Sequence, residues 1–474
     1  MNHSKVPYGP SNIFGLDPFL MRFTSINPST GTVIERYDAL EDKAIEERIA
    51  RAAAAYRLYH TCSFEERILK LNGAAKFLEE SAETCAKLIT IEMGKPISQA
   101  RAEIKKCAWV CRFYAEQGED FLQEEVVASE AGKSYVTYQP MGPLLGVMPW
   151  NFPFWQVFRF AAPVLMAGNV CLIKHAPNVT GCALKVETIL REAGFDQNEF
   201  QVLPVPVDKV ASIIEDKRVK GVSLTGSDRA GSSVASAAGR NIKPTLLELG
   251  GSDPFIVLAD ANVEHAASIG LRSRMQNAGQ SCIAAKRFIL EKQIAEEFLA
   301  YFLEGVEALK VGNPMEASTD MGPIAREDLR NNAHEQVKRS LIEGAQLKTG
   351  GKKLEGPGFF YAPTVLTDIK PNSVAFEEEL FGPIAALVFA EDADHSVELA
   401  NASPFGLGGA VFTEDVEKGE QIARQLEVGC AFINEMVKSD PRLPFGGIKH
   451  SGYGRELSQH GIRAFVNAKT VWVK

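Results

Sequence analysis

The chain has 474 residues, 45% hydrophobic, 23% charged and 9% aromatic, and its 51 basic and 60 acidic side chains leave a net charge of −9. That length exceeds what a single core usually serves and predicts two or three domains. The acidic balance argues against nucleic acid or an anionic membrane surface as the main partner. No run approaches the roughly 18 apolar residues of a membrane span. Residues 1–20 lack the continuous apolar stretch of a secretory signal, so they read as an N-terminal extension, and Met21 as an alternative start. Eight cysteines and eight histidines fall in neither a disulfide framework nor a metal-binding spacing, so no metal is expected and the compartment is read as cytoplasmic. Cys107 and Cys111, four apart on a helix, read as small core residues.

Apolar residues recur at threes and fours from Ala39 to His60 and from Phe64 to Ile91, where Gly94 and Pro96 stop the second helix, and again from Gln99 to Gln117 before Gly118. Glu124 to Gln139 alternates around Gly132 as a hairpin does. Short apolar runs follow at Pro143–Met148, Val170–Lys174, Phe200–Val205 and Gly221–Leu224, separated by helical stretches such as Cys182–Ala193 and Val210–Glu215. Such alternation predicts a parallel sheet with crossover helices, a doubly wound α/β domain. A second α/β series follows Gly250 and Gly251: strand Pro254–Leu258, helix Val263–Gln276, strand Arg287–Leu290, helix Ile294–Ala308. Thr470–Val473 closes the chain as a short β segment.

Four places carry potential chemistry. The G-x-G-x-x-G run of many dinucleotide sites is absent. Instead Thr225-Gly226-Ser227-Asp228-Arg229-Ala230-Gly231 lies at a strand-to-helix turn, where backbone N–H groups suit a pyrophosphate and where Ser227 equally suits an ordinary N-cap. Cys282 ends the turn Asn277-Ala278-Gly279-Gln280-Ser281-Cys282, as a nucleophile or as one more buried thiol. Glu248 sits in the apolar run L-L-E-L-G-G, where a carboxylate must be ion-paired or functional. Asn151 is an amide among rings and prolines in Pro149-Trp150-Asn151-Phe152-Pro153.

The runs P-W-N-F-P, L-E-L-G-G, G-Q-S-C, E-E-L-F-G-P and P-F-G-G-I-K-H-S-G-Y-G-R-E, in this order, resemble the signature of the aldehyde dehydrogenase superfamily, from about Ile26-Asn27-Pro28 to the end. Glu248 and Cys282 stand 34 residues apart, as in that family. The resemblance implies a Rossmann-like cofactor domain, an α/β catalytic domain and a small β oligomerisation arm. The corresponding boundaries are 21–122 and 141–248 for the dinucleotide-binding domain, 249–447 for the catalytic domain, and 123–140 and 448–474 for oligomerisation and bridging. It implies Cys282 as the thiolate that forms a thiohemiacetal and then a thioester. Asn151 and the Cys282 N–H become oxyanion donors, and Glu248 the base for hydrolysis. Trp150, Lys174, Gly226, Ser227, Glu379 and Phe381 become cofactor contacts. A homodimer or homotetramer is expected, its exposed strand edges wanting a partner.

Two departures bear on specificity. Many NAD-selective members carry a glutamate three residues after the lysine; here that position is Pro177, so both NAD and NADP are expected. Some relatives place a second cysteine two residues after the nucleophile; here it is Ala284, so that disulfide cannot form. Arg159, eight residues after Asn151, resembles the arginine that pairs with the distal carboxylate in succinate-semialdehyde dehydrogenases, or makes an internal salt bridge. A second arginine of those enzymes is replaced by Gln276, with Arg274 nearby. Ser439 and Arg442 are expected to complete the carboxylate site. The extended motifs look most like the bacterial NAD(P) succinate-semialdehyde dehydrogenase branch, which makes succinate semialdehyde the expected substrate. The competing readings are a broad-specificity enzyme for medium-chain or aromatic aldehydes, a catalytically silent homologue, and a cysteine hydrolase, the last lacking a histidine motif.

Overall fold

The computed structural model describes residues 22–474, so the expected extension over residues 1–20 lies outside the described residues. An antiparallel pair comes first, β1 (Arg22–Ile26) and β2 (Val33–Asp38). The sequence pattern did not signal it, because β2 is polar and largely exposed. Four helices follow: α1 (Asp42–Tyr59), α2 (Phe64–Glu80), α3 (Ala82–Met93) and α4 (Ile97–Phe121). The single helix expected from Phe64 to Ile91 is therefore two. Its backbone leaves helical geometry at Ser81, whose hydroxyl donates back to the Phe77 carbonyl, a local bond that competes with the helical ladder. Gly118 does not end the fourth helix. It faces Met166 so closely that a Cβ there would lie 2.4 Å from Met166 Cγ, so its smallness serves packing.

Next come β3 (Glu125–Val126), β4 (Lys133–Pro140), β5 (Pro143–Met148), α5 (Trp155–Met166), β6 (Val170–His175), α6 (Thr180–Glu192), β7 (Phe200–Val202), α7 (Val210–Glu215), β8 (Gly221–Thr225), α8 (Asp228–Arg240) and β9 (Thr245–Glu248). Five of these strands run parallel in the order β9-β8-β5-β6-β7. Their residues are buried on both faces, as crossover helices require. The chain first moves outward from β5 to β7, then returns to add β8 and β9 on the other side of β5. The strand order thus reverses between β5 and β8, and ligands of open α/β sheets bind beyond the carboxyl ends at such a point.

The second series opens with β10 (Asp253–Val257), α9 (Val263–Met275), β11 (Ala285–Glu291) and α10 (Ala295–Ala308). With Thr364–Thr367, Ile384–Ala390, Gly408–Phe412, Cys430–Ile433 and the antiparallel edge Gln346–Thr349, β10 and β11 form a seven-stranded sheet. Alternation along β10 sends Ile256 to one core and Phe255 and Val257 to the other. The Glu124–Gln139 hairpin is β3 pairing β4, and the closing strand is longer than expected, Val466–Val473 along β4. The segment expected to bridge from residue 448 onward is not all arm. Gly452–Tyr453 pairs with β9 inside the six-stranded sheet, which places Gly452 opposite Glu248. Among the described residues no helix is long and apolar enough to cross a membrane.

Candidate active site

The loops leaving β5, β8 and β9 meet in a cleft of about 590 Å³ lined by Trp150, Asn151, Gly226, Ser227, Glu379 and Phe381, among others. Ser227 is the N-cap of α8: its Oγ accepts the Ala230 N–H at 3.3 Å. The cap reading of Ser227 therefore holds; Ser227 and Asp228 at the start of α8 both line the cleft, although the Arg229 N–H is taken by Asp228 Oδ1, and a helix N-terminus at such a cleft suits an anion. Trp150 and Phe381 meet edge to face with centroids 5.7 Å apart. Glu379 accepts the Gly251 N–H at 3.1 Å and lies 3.4 Å from Lys286 Nζ. Lys174, at the carboxyl end of β6, is buried with no hydrogen-bond partner among the described residues, and burial lowers its ammonium to about 8. Lys174 is not among the residues lining the cleft; it and the α8 N-terminus stand on either side of β5, the strand at which the order reverses, and a buried amine and a helix N-terminus so placed suit a dinucleotide.

A second cavity, about 160 Å³, opens on the other side of Cys282. Cys282 and Gln156 line both spaces. The turn that presents the thiol is strained: Asn277 and Ala278 have φ of 54° and 52°, which non-glycine residues adopt at a cost. Side chains hold it there. Asn277 Nδ2 donates to the carbonyls of Asn151 and Gln280, and Gln280 Nε2 to that of Asn277. Arg274 donates to the carbonyls of Gly279 and Ala285, so it braces the loop and does not face substrate. Gly251 lets this loop approach, because a Cβ there would lie 2.7 Å from the Cys282 carbonyl oxygen. That same carbonyl accepts Lys286 Nζ at 2.7 Å.

Burial raises the Cys282 thiol to about 12, against the pull of Arg159 and Lys286. Glu248 is buried, its Oε1 has no partner, and burial lifts it well above the usual carboxylate range despite Arg159. Gly446 leaves the space this carboxyl occupies, since a Cβ there would sit 2.6 Å from Glu248 Oε1. Asn151 Nδ2 donates to the Gln280 carbonyl at 3.1 Å, which uses one of its two N–H groups and leaves the other for an oxyanion.

The expected carboxylate grip needs correction. Arg159 does line the second cavity, but its Nε is ion-paired with Glu456 Oε2 and its Nη2 donates to Thr225 Oγ1. Both partners of that ion pair are buried, the internal salt bridge that the sequence left open. Arg442 is exposed, forks onto Asp440 and lies over the Trp109 ring outside the cavity, because two residues of turn bring Asp440 within its reach. Ser439 does line the cavity, as does Gln276. Lys106, Lys286 and Glu456 were missed. Lys106 could have been found from the α4 spacing of Gln99, Ala102, Glu103 and Lys106, one helix face toward the cavity. Lys286 carries no such local signal, and Glu456, the last residue of the run P-F-G-G-I-K-H-S-G-Y-G-R-E, stood in a motif that gave it no role.

A thiol set between the switch-point cleft and a second cavity, on two doubly wound sheets, is an arrangement suited to an oxidoreductase. The chain belongs to the aldehyde dehydrogenase family, whose sequence profile matches residues 19–471. It is 48% identical over 453 residues to a Synechocystis sp. protein named "Probable succinate-semialdehyde dehydrogenase [NADP(+)]", covering 96% of this chain and 100% of that one. It is 47% identical over 459 residues to the succinate-semialdehyde dehydrogenase [NADP(+)] of Mycobacterium avium, covering 96% and 97%. The crystal structure of succinic semialdehyde dehydrogenase from Streptococcus pyogenes with NADP+ superposes with a TM-score of 0.94 at 35% identity, covering 95% of this chain and 99% of that one.

Proposed function

We propose that this chain oxidises succinate semialdehyde to succinate, using NADP+ and also accepting NAD+. The observation that carries the reading is the position of Cys282 at the junction of the cofactor cleft and a cavity whose walls include Phe152, Trp155 and Phe445 and whose polar end includes Lys106 and Ser439. The substrate has matching parts, an aldehyde at one end, two methylenes, and a carboxylate at the other. The names of the relatives at 47–48% identity support the same substrate and NADP+. The absence of a carboxylate at Pro177 supports tolerance of both cofactors.

The Cys282 thiol loses its proton to solvent and its sulfur bonds to the aldehyde carbon. The carbonyl oxygen takes up the negative charge within reach of the free Asn151 N–H and the Cys282 backbone N–H. A preset donor of this kind contributes about 100- to 1,000-fold to rate. The bound dinucleotide supplies a hydride acceptor, and loss of hydride from the tetrahedral carbon leaves an acyl thioester on Cys282. Glu248, in its carboxylate form, takes a proton from water, whose oxygen bonds to the acyl carbon as the C–S bond breaks, giving the acid and the Cys282 thiolate, which takes up the proton held on Glu248. Trp150, Lys174, Gly226, Ser227, Glu379 and Phe381 hold the cofactor in this reading. The exposed Val466–Val473 edge, with Trp472 and Val473 half exposed, supports assembly into a homodimer or homotetramer of a cytoplasmic enzyme. A panel of succinate semialdehyde, butanal and benzaldehyde, each with NADP+ and NAD+, tests the reading. It expects the highest kcat/KM for succinate semialdehyde and turnover with both cofactors. Equal kcat/KM across the panel would overturn the substrate assignment, and no turnover with NAD+ would overturn dual use.

A further inference from the structure

We propose that Lys106, presented with Ser439, is the residue that grips the distal carboxylate of the substrate; this rests on the succinate semialdehyde reading above. Three cations line the substrate cavity, and two are already engaged. Arg159 is ion-paired with the buried Glu456, and Lys438 reaches solvent and pairs with Glu435 at 3.1 Å. Lys106 pairs with no carboxylate among the described residues. Its Nζ donates to Ser439 Oγ at 2.7 Å and lies 4.3 Å from the centre of the Trp155 ring. An ammonium has three donors; one goes to the hydroxyl, and the ring takes no full hydrogen bond.

The surroundings make this cation costly unless an anion joins it. The one carboxylate in the cavity wall, Glu103, is committed elsewhere: it is ion-paired with buried Lys95 and accepts the N–H groups of Phe154 and Trp155 at the start of α5. Burial brings Lys106 down to about 8, with Arg159 adding to the fall and Cys107, Asp440 and Glu103 opposing it. A carboxylate arriving from the Cys282 side meets an ammonium and a hydroxyl already hydrogen-bonded to each other. The pair is in place before binding, so little ordering is lost. The aliphatic stem of Lys106 and the Trp155 ring flank the approach, which suits the methylenes of a short dicarboxylic semialdehyde. Arg159 keeps a different task, neutralising Glu456 beside Glu248.

The test measures kcat/KM for succinate semialdehyde and for butanal in the wild type, Lys106→Met, Lys106→Arg and Lys105→Met, with thermal melts on all four. Lys105 is the exposed neighbour on the same helix and serves as the control. The proposal expects the succinate semialdehyde to butanal ratio to fall about 10- to 100-fold in Lys106→Met, chiefly through KM. Lys106→Arg should recover part of the ratio, and Lys105→Met should keep it. If the wild type prefers succinate semialdehyde and Lys106→Met keeps that preference, the Lys106 assignment is overturned and the substrate reading stands. If the wild type shows no preference, the substrate reading fails, and the role of Lys106 falls with it.

Discussion

Arg159→Met removes one member of a buried ion pair and leaves Glu456 without its partner. The two side chains are 2% and 5% exposed, so solvent cannot take over from the missing guanidinium. Breaking a pair in such a place costs about 3–5 kcal/mol, most of it from the charge left behind. Replacing both members by neutral groups should cost much less. Equilibrium urea denaturation of Arg159→Met, Glu456→Gln and the double variant measures this, and the double variant is expected to recover most of the loss. Arg159 also draws down the pKa of Glu248, so its removal should leave Glu248 more firmly protonated and slow thioester hydrolysis for every aldehyde alike. Turnover with succinate semialdehyde and butanal should therefore fall by similar factors. A loss below about 1 kcal/mol would refute the buried-pair argument, and a tenfold greater fall for succinate semialdehyde would show that Arg159 itself grips the carboxylate.

Other residues give independent checks. Gly251→Ala should push back the Cys282 loop, since the new Cβ meets a backbone oxygen at 2.7 Å; a stability loss of about 1–3 kcal/mol and a kcat reduced more than tenfold are expected, read by denaturation and steady-state rates. With burial holding its thiol near 12, Cys282 in the free enzyme should react slowly with iodoacetamide at pH 7 and about tenfold faster per pH unit up to pH 10, followed on its own peptide by mass spectrometry. A plateau by pH 8 would contradict that shift. Pro177→Glu should lower kcat/KM for NADP+ at least about tenfold and spare NAD+, by placing a carboxylate against the 2′-phosphate; an unchanged ratio would remove Pro177 from cofactor choice.

What the sequence made legible follows from the range of the interactions involved. The strands of the cofactor sheet were readable because both faces are buried, which compresses them into short apolar runs such as Pro143–Met148. The split at Ser81 was not, since the apolar period continues through α2 and α3 and only a hydroxyl-to-carbonyl bond breaks it. In the site, Asn151, Glu248 and Cys282 stood in compact motifs because Asn151 and Glu248 lie at or just past the ends of β5 and β9 and Cys282 follows the strained turn at Asn277 and Ala278. Ser227 showed both of its possible roles, and the structure supports the cap while placing it in the cleft. Arg159 lines the cavity, but its partner Glu456 lies 297 residues away, and although Glu456 ends the quoted C-terminal run, nothing local ties the two together. Arg442 was chosen for its charge, while the nearby Asp440 that claims it lies in the same turn. Lys106 escaped notice because α4 looks like an ordinary amphipathic helix until Ser439 is brought beside it.

The central claim is an acyl thioester on Cys282 whose hydrolysis depends on Glu248. Glu248→Gln, mixed with succinate semialdehyde and NADP+, quenched in acid and digested, tests it most directly. The account expects one equivalent of NADPH per active site and a peptide carrying Cys282 heavier by one succinyl group. Steady NADPH production with Cys282 unmodified, or the acyl group on another cysteine, would contradict it.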